Sequence, residues 1–185
     1  MTSFQDLLAR EFAPYCELTL DQLDKLEAHY QLLTQWNARL NLTRIRSLQD
    51  SVQLHYCESL FLGRALPSGD LRIADIGSGA GFPGIPLGIF RPECLVTLVE
   101  AHQRKAVFLQ EAVRSLKNIK VISVRAEDLH EQFDWLVSRA VASKEVLELS
   151  LAPNRALLVG DGEFSDALRV PWGEGRFLAI VPRGT

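Results

Sequence analysis

The chain has 185 residues, of which 47% are hydrophobic and 23% charged, and its formal net charge is -3 at pH 7. This composition is typical of a folded domain with a sizeable core, and the acidic balance argues against a protein that coats nucleic acid by charge alone. Three widely spaced cysteines, Cys16, Cys57 and Cys94, argue against a disulfide framework or a zinc site and favour reduced thiols in the cytoplasm. We find no signal peptide and no apolar run of about 20 residues, so we expect no membrane association.

Residues 1–66 are predicted to form a helical segment that packs on the rest of the chain. Thr19 and Gln22 are spaced as a capping box at the start of a helix. Steps of three and four residues then define one helix face, which is mostly apolar or aromatic: Leu23, Leu26, Tyr30, Leu33, Asn37 and Leu40. A further helix is predicted to begin near Ser47.

Residues 67–185 change in character after the turn cluster Pro67-Ser68-Gly69-Asp70. Short apolar runs then alternate with helical stretches, which predicts a Rossmann-like α/β core with a mostly parallel twisted sheet and helices on both faces. We expect one structural domain overall. The predicted strands are 71–76, 95–100, 119–124, 134–137, 156–159 and 177–181, and the predicted helices of this part are 84–90 and 102–116.

A glycine-rich turn, Asp75-Ile-Gly-Ser-Gly-Ala-Gly-Phe-Pro-Gly84, directly follows the first predicted strand. Glycine accepts positive φ and lets a ligand lie against the backbone, and the following helix is expected to offer free N–H groups. Glu100 ends the next strand, at a spacing where an acid hydrogen-bonds ribose hydroxyls in dinucleotide-type sites. The alternatives are a turn that only permits close packing and a solvated carboxylate.

The glycine spacing distinguishes between two nucleotide cofactors. A dinucleotide site usually has G-x-G-x-x-G, whereas Gly77, Gly79 and Gly81 are spaced G-x-G-x-G, with Asp75 two residues earlier. This pattern resembles motif I of class I methyltransferases. The resemblance implies that the cofactor is S-adenosyl-L-methionine.

Several segments in order resemble the glucose-inhibited division protein B family over residues 18–160. Members are small-subunit ribosomal RNA guanine-N7 methyltransferases, so the resemblance implies methylation of guanine N7 in 16S ribosomal RNA. Glu58 stands where the family usually has Asp, and Val159 where it usually has Lys before a glycine. The segments that carry the resemblance are Trp36-Asn37, Asn41-Leu42-Thr43, His55 with Ser59, residues 75–87, Arg91-Pro92-Glu93, Arg104-Lys105 with Phe108-Leu109, residues 124–127 and residues 137–140.

The resemblance implies cofactor contacts at Gly77, Phe82, Ala126, Glu127 and Arg139, and the glycine turn adds Ser78, Gly79 and Gly81. Arg139 is expected to end the fourth strand, where a guanidinium can bind a carboxylate or a phosphate. The alternatives are helix packing for Phe82, a first-turn carboxylate for Glu127 and a salt bridge for Arg139.

The predicted substrate-binding residues are His55, Ser59, Arg104, Lys105 and Arg125. His55 and Ser59 are four residues apart and share a helix face, where a packed structural role is the alternative. By contrast, Asn37, Asn41 and Thr43 are expected to cap and turn the chain, and Trp36 to pack in the core. No catalytic side chain and no metal ligand are predicted.

The expected partner is small-subunit ribosomal RNA within a ribosomal subunit or an assembly intermediate, and the expected state is a monomer. A short segment at 161–175 suggests an altered sheet edge. Two other functions remain open at this point. One is a small-molecule methyltransferase with the same cofactor, and the other is a catalytically idle relative that binds cofactor or RNA.

Overall fold

The computed structural model describes residues 2–45 and 47–182. Its centre is a seven-stranded sheet with the order β3-β2-β1-β4-β5-β7-β6, in which β1 to β5 are parallel and β7 is antiparallel to β5 and β6. The strands are β1 (Arg72–Ile76), β2 (Leu95–Val99), β3 (Ile119–Ile122), β4 (Trp135–Arg139), β5 (Asn154–Gly160), β6 (Leu168–Arg169) and β7 (Arg176–Pro182).

In the part of the chain that the structure describes, seven α-helices surround the sheet, and α3 and α4 are joined by a π-helical segment into one continuous rod. None of the helices in residues 2–45 and 47–182 is long and apolar enough to cross a membrane. The helices are α1 (Phe4–Phe12), α2 (Leu20–Leu40), α3 (Leu48–Ser51), the π-helical segment (Val52–Cys57), α4 (Glu58–Ala65), α5 (Gly84–Phe90), α6 (Gln103–Ala112) and α7 (Ser143–Glu148), with a 3₁₀-helix at Ala126–Asp128.

The predicted Rossmann-like fold is confirmed, and six of the seven strands lie where the apolar runs placed them. Their ends differ from the predicted ends by at most two residues: β3 ends at Ile122, and β4 continues to Arg139. The sequence pattern missed β6, because this strand consists of Leu168 and Arg169 alone and is too short to form an apolar run. The connection from β5 to β6 contains turns and bends and no helix, as expected for a shortened edge.

The strands alternate their side chains between two hydrophobic layers. In β1, Ile73 belongs to the larger layer, which contains core residues of α1, α2, α4, α5 and α6, whereas Ala74 belongs to the smaller layer with Val146 of α7. The N-terminal helices therefore form part of the main core. Their apolar stripe buries Leu26 and Leu33, in agreement with the predicted helix face.

Polar side chains determine where the N-terminal helices begin and end. The predicted capping box is confirmed: Thr19 Oγ1 accepts from Gln22 N, and the Gln22 side chain accepts from Thr19 N. At the other end of α2, Asn41 is left-handed with φ 48°, and the Asn37 amide bonds the backbone of Thr43 through both of its atoms. These residues thus cap and turn the chain as expected.

The crossing of α5 over β1 requires a residue without a side chain at Gly84. A Cβ there would lie 2.6 Å from Asp75 Oδ2 and 2.9 Å from Asp75 Cβ. We expect Gly84→Ala to lower the free energy of unfolding by about 1–3 kcal/mol, since overpacking a buried contact forces atoms apart. Urea unfolding measures this effect.

Gly63→Ala in α4 is the matched control, because its Cβ would meet Leu87 and Phe90 at an ordinary 3.4 Å. That variant should be as stable as the parent or slightly more stable, since alanine favours helix. Equal stability of both variants would contradict the close contact between α5 and β1.

Candidate functional site

A cleft of ≈ 380 Å³ opens at the carboxyl ends of β1 and β4. The chain continues from β1 towards β2 and β3 on one side and places β4 and β5 on the other, so this is the topological switch point where open α/β sheets bind ligands. The lining residues include seven of the predicted site residues. The cleft is lined by Leu42, Thr43, Gly77, Ser78, Gly79, Ala80, Phe82, Glu100, Lys105, Arg139, Ala140 and Val141.

The glycine turn forms one wall of this cleft, and Gly77, Gly79 and Gly81 have positive φ as expected. At Gly77, with φ 69°, a Cβ would also meet Val141 Cγ2 at 2.5 Å. At Gly79, with φ 58°, a Cβ would meet no heavy atom closer than Gly77 O at 3.7 Å. The surface of Gly79 is therefore open to the cleft, whereas Gly77 is required by packing as well as by conformation.

Several backbone N–H groups of the turn are already hydrogen-bonded within the protein. Gly77 N and Ser78 N donate to Val99 O at 2.9 and 3.1 Å, and Gly84 N at the start of α5 donates to Asp75 Oδ2 at 3.0 Å. The expectation that α5 would offer free N–H groups to a ligand is therefore wrong for Gly84. The physical reason is that the buried Asp75 side chain needs a hydrogen-bond donor for its Oδ2 and takes this one.

Glu100 lies at the carboxyl end of β2 and is largely buried. Its Oε2 accepts from Gly79 N at 2.9 Å, and its Oε1 accepts from His102 N at 2.8 Å. Each carboxylate oxygen has two acceptor positions, so each oxygen can still accept one hydrogen bond from a ligand. Two adjacent hydroxyl groups fit this arrangement.

Asp75 is fully buried beneath the glycine turn. Its Oδ1 has no hydrogen-bond partner among the described residues, while Oδ2 is bonded to Gly84 N. Burial raises the pKa of Asp75 to about 7, against the smaller opposing effects of the Gly84 and Ser78 hydrogen bonds and of Arg139. The Oδ1 atom of this carboxyl group, beneath the cleft wall, thus has no hydrogen-bond donor among the described residues.

Arg139 ends β4, as predicted, but one of its nitrogens is not available to a ligand. Nη1 lies 2.8 Å from Leu54 O and 2.7 Å from His55 Nδ1, and the guanidinium lies over the Phe82 ring, 5.0 Å from its centroid. Glu58 is a further neighbour at 3.9 Å. Arg139 therefore both lines the cleft and holds the π-helical segment against the sheet.

His55 and Ser59 lie beneath the cleft and do not line it. Both ring nitrogens of His55 have partners, Arg139 on one side and Thr43 on the other, and the ring stacks on Phe82 with centroids 4.5 Å apart. Burial, followed by the charge of Arg139, lowers the pKa of His55 to about 2. Ser59 is fully buried and donates to His55 O. This placement differs from the expected substrate contacts.

Phe82 is buried among histidine, tyrosine and arginine side chains while one edge lines the cleft. Most of the Phe82 surface is therefore packed against other side chains, which was the alternative to a cofactor contact in the sequence analysis. Lys105 also lines the cleft, whereas Arg104 and Arg125 are exposed outside its lining. Gly81 lies in the turn behind the cleft wall, where a Cβ would meet Ile85.

Ala126 and Glu127 form the 3₁₀-helix that follows β3 and do not line the cleft. Glu127 is exposed in the first turn of that helix, which is the alternative position considered for it. Because β3 neighbours β2, both residues lie beyond Glu100 along the same sheet edge. A ligand longer than the cleft would have to extend in this direction to reach them.

His29 is the residue that the sequence reasoning missed. It is buried on the apolar face of α2, where its Nε2 lies 3.0 Å from Ala80 O and its Nδ1 lies 2.9 Å from Tyr56 Oη. Desolvation lowers its pKa to about 4. The signal was present in the sequence, because a histidine between Leu26 and Leu33 continues the buried stripe.

A family model described as GidB, rRNA small subunit methyltransferase G, matches residues 22–164. The chain belongs to this family. A Ribosomal RNA small subunit methyltransferase G from Mycoplasma capricolum is 40% identical over 143 residues, which cover 74% of this chain and 62% of that protein. Its counterpart from Mycoplasma mycoides is 41% identical over 130 residues, which cover 68% of this chain and 95% of that protein.

The match to the M. capricolum member of the GidB family spans less than two thirds of that protein. Among solved structures, coclaurine N-methyltransferase bound to N-methylheliamine and SAH superposes with a TM-score of 0.51 at 15% identity. The superposition covers 85% of this chain and 58% of that enzyme. This likeness establishes a shared fold.

The raised pKa of Asp75 predicts a pH dependence of folding stability. Between its ordinary value of 3.8 and about 7, the folded protein holds a proton that the unfolded chain has lost. This contribution to stability is fully present below pH 3.8 and is lost as the pH rises through 7. In Asp75→Asn the side chain is neutral at every pH, so this variant should not lose stability as the pH rises through 7.

We therefore expect the free energy of unfolding of Asp75→Asn, relative to the parent, to increase by up to about 1.4 kcal/mol per pH unit between pH 5 and 7 and then to level off. Urea titrations at several pH values provide the measurement. A difference that stays constant from pH 5 to 8 would show that Asp75 is ionised in the fold.

Proposed function

We propose that this chain transfers a methyl group from S-adenosyl-L-methionine to N7 of a guanine in small-subunit (16S) ribosomal RNA. The observation that carries the proposal is the cleft at the switch point, where Glu100 and the glycine turn face one another in a member of the GidB family. Relatives in this family are named ribosomal RNA small subunit methyltransferase G.

The residues of the cleft fit the proposed cofactor. Glu100 has one remaining acceptor position on each oxygen for the two ribose hydroxyls, and Gly79 presents a surface without a side chain. The adenine would extend from Glu100 towards Ala126 and Glu127.

The bound cofactor supplies an electrophilic methyl group on a positively charged sulfur. Guanine N7 carries an in-plane lone pair and no proton at neutral pH, so the chain does not need a general base. Neither His29 nor His55 is suited to that role, because both rings are buried with both nitrogens bonded and both pKa values are lowered. The protein's contribution is to hold the two reactants in line and to exclude water.

The proposed RNA surface lies around the mouth of the cleft. Lys105 lines the cleft itself, and Arg104, on the same helix, and Arg125, before the 3₁₀-helix, are exposed. Cations in such positions bind phosphates and position RNA without reading its sequence. We propose that the substrate is presented within a small ribosomal subunit or an assembly intermediate, and that the protein acts as a monomer in the cytoplasm.

Transfer of labelled methyl groups tests the function directly. The purified protein is incubated with small subunits from cells that lack the gene, and the RNA is digested and mapped by mass. We expect one guanine to gain an N7 methyl group. Methylation of free metabolites instead of RNA would favour the small-molecule alternative, and tight binding of S-adenosylhomocysteine without any transfer would favour the idle relative.

Glu100→Ala tests the cofactor site apart from the RNA. One hydrogen bond to a charged group is worth about 1.5–3 kcal/mol, so loss of the ribose contacts should lower the affinity for S-adenosylhomocysteine by at least about one to two decades. The variant also loses the hydrogen bond that holds Gly79 N, which acts in the same direction. Titration calorimetry measures the effect.

Glu111→Ala is the control, because Glu111 is an exposed glutamate on α6 outside the cleft lining. It should bind S-adenosylhomocysteine like the parent protein. An affinity of Glu100→Ala within twofold of the parent would exclude the ribose contact at Glu100.

A further inference from the structure

Thr43 brings a hydroxyl group from the N-terminal segment into the cleft. Its Oγ1 lies 2.8 Å from His55 Nε2 and accepts from Ile45 N at 3.1 Å. The backbone of Thr43 is held on both sides by the Asn37 amide, at 2.8 Å through its N and 3.0 Å through its O. The hydroxyl is therefore fixed in position and does not depend on a flexible loop.

The tautomer of His55 follows from its neighbours. Arg139 Nη1 lies 2.7 Å from His55 Nδ1, and a guanidinium can only donate hydrogen bonds. Nδ1 must therefore be the acceptor, and the single proton of the neutral ring resides on Nε2. His55 then donates to Thr43 Oγ1, because Nε2 faces that oxygen.

The hydrogen bonds of Thr43 leave one group unused. A hydroxyl has two acceptor positions and one proton. Both acceptor positions are taken, by His55 Nε2–H and by Ile45 N–H, so the O–H proton cannot point to either of them. Within residues 2–45 and 47–182 no acceptor for this proton is found, and Thr43 lines the cleft.

The charge around Thr43 indicates what kind of acceptor fits. Arg139 and Lys105 line the same cleft, and the chain of hydrogen bonds from Arg139 through His55 polarises the Thr43 hydroxyl as a donor. The acidic Glu100 follows β2 on one side of β1, whereas Arg139 ends β4 on the other. An anionic oxygen therefore fits at the β4 side, opposite the proposed ribose position.

We propose that the Thr43 hydroxyl donates a hydrogen bond to the carboxylate of the amino-acid tail of S-adenosyl-L-methionine, with His55 and Arg139 as positioning residues that orient the hydroxyl. This inference rests on the proposed function. It gives the N-terminal segment a direct part in cofactor binding. It also gives the buried His55 a role in binding that requires no contact with RNA.

The test compares two ligands that differ in the tail. S-adenosylhomocysteine carries the carboxylate, and 5′-methylthioadenosine lacks the amino-acid tail. Thr43→Val should lower the affinity for S-adenosylhomocysteine about tenfold or more, as loss of a hydrogen bond to a charged group does, and should leave the affinity for 5′-methylthioadenosine unchanged. Thr43→Ser keeps the hydroxyl and should bind both ligands within about threefold of the parent.

Unchanged binding of S-adenosylhomocysteine by Thr43→Val would overturn the proposal, and so would an equal loss for both ligands, since that would indicate a distorted cleft. If the parent protein binds neither ligand, the proposed function itself fails. Should Thr43→Val not fold, nitrogen NMR of the His55 ring in the parent protein decides the question. A proton on Nε2 is expected, whereas a proton on Nδ1 would leave the Thr43 hydroxyl donating to His55 and overturn the inference.

Discussion

The ligand edge of the sheet depends on a buried carboxyl group at the end of β1. Asp75 has no access to water, so its Oδ2 takes the first N–H group of α5, and this bond draws the start of α5 onto the strand. Gly84 must then lack a side chain, and the chain between the two residues must turn sharply enough to need positive φ. The cleft is the space that this turn leaves open.

The N-terminal helical segment contacts both the glycine turn and the end of β4, and so takes part in the cleft. His29 of α2 hydrogen-bonds Ala80 O in the glycine turn, and His55 connects Thr43 to Arg139 at the end of β4. These contacts are buried and polar, so a missing partner would leave a desolvated donor or acceptor. The same contacts make the helical segment part of the cleft wall, because the loop that carries Thr43 is held through them.

The sequence predicted the parts of the fold that depend on local chemistry. The glycine turn, six strands and the capping box at Thr19 follow from φ requirements, short apolar runs and a hydroxyl spaced from a glutamine. The π-helical segment could not be predicted in this way, because its apolar pattern is compatible with an ordinary helix. The two-residue β6 is too short to form an apolar run that the sequence could show.

Long-range contacts account for what the sequence left undecided in the site. Packing between segments far apart in the chain determines that Gly84 N bonds to Asp75. The same kind of packing buries Ser59 beneath the cleft. His29 had a signal in its position on a buried stripe, but its partners in the glycine turn are 51 residues away. Residue types identified the turn and the acid, whereas the tertiary structure determined which of their groups remain free.

A crystal structure of the protein with S-adenosylhomocysteine tests the proposed cofactor site most directly. The nucleoside is expected at the carboxyl ends of β1 and β2, with both ribose hydroxyls bonded to the Glu100 carboxylate and the ligand lying against Gly79. A ligand bound elsewhere on the protein, or in this cleft with its ribose turned away from Glu100, would contradict the proposed site.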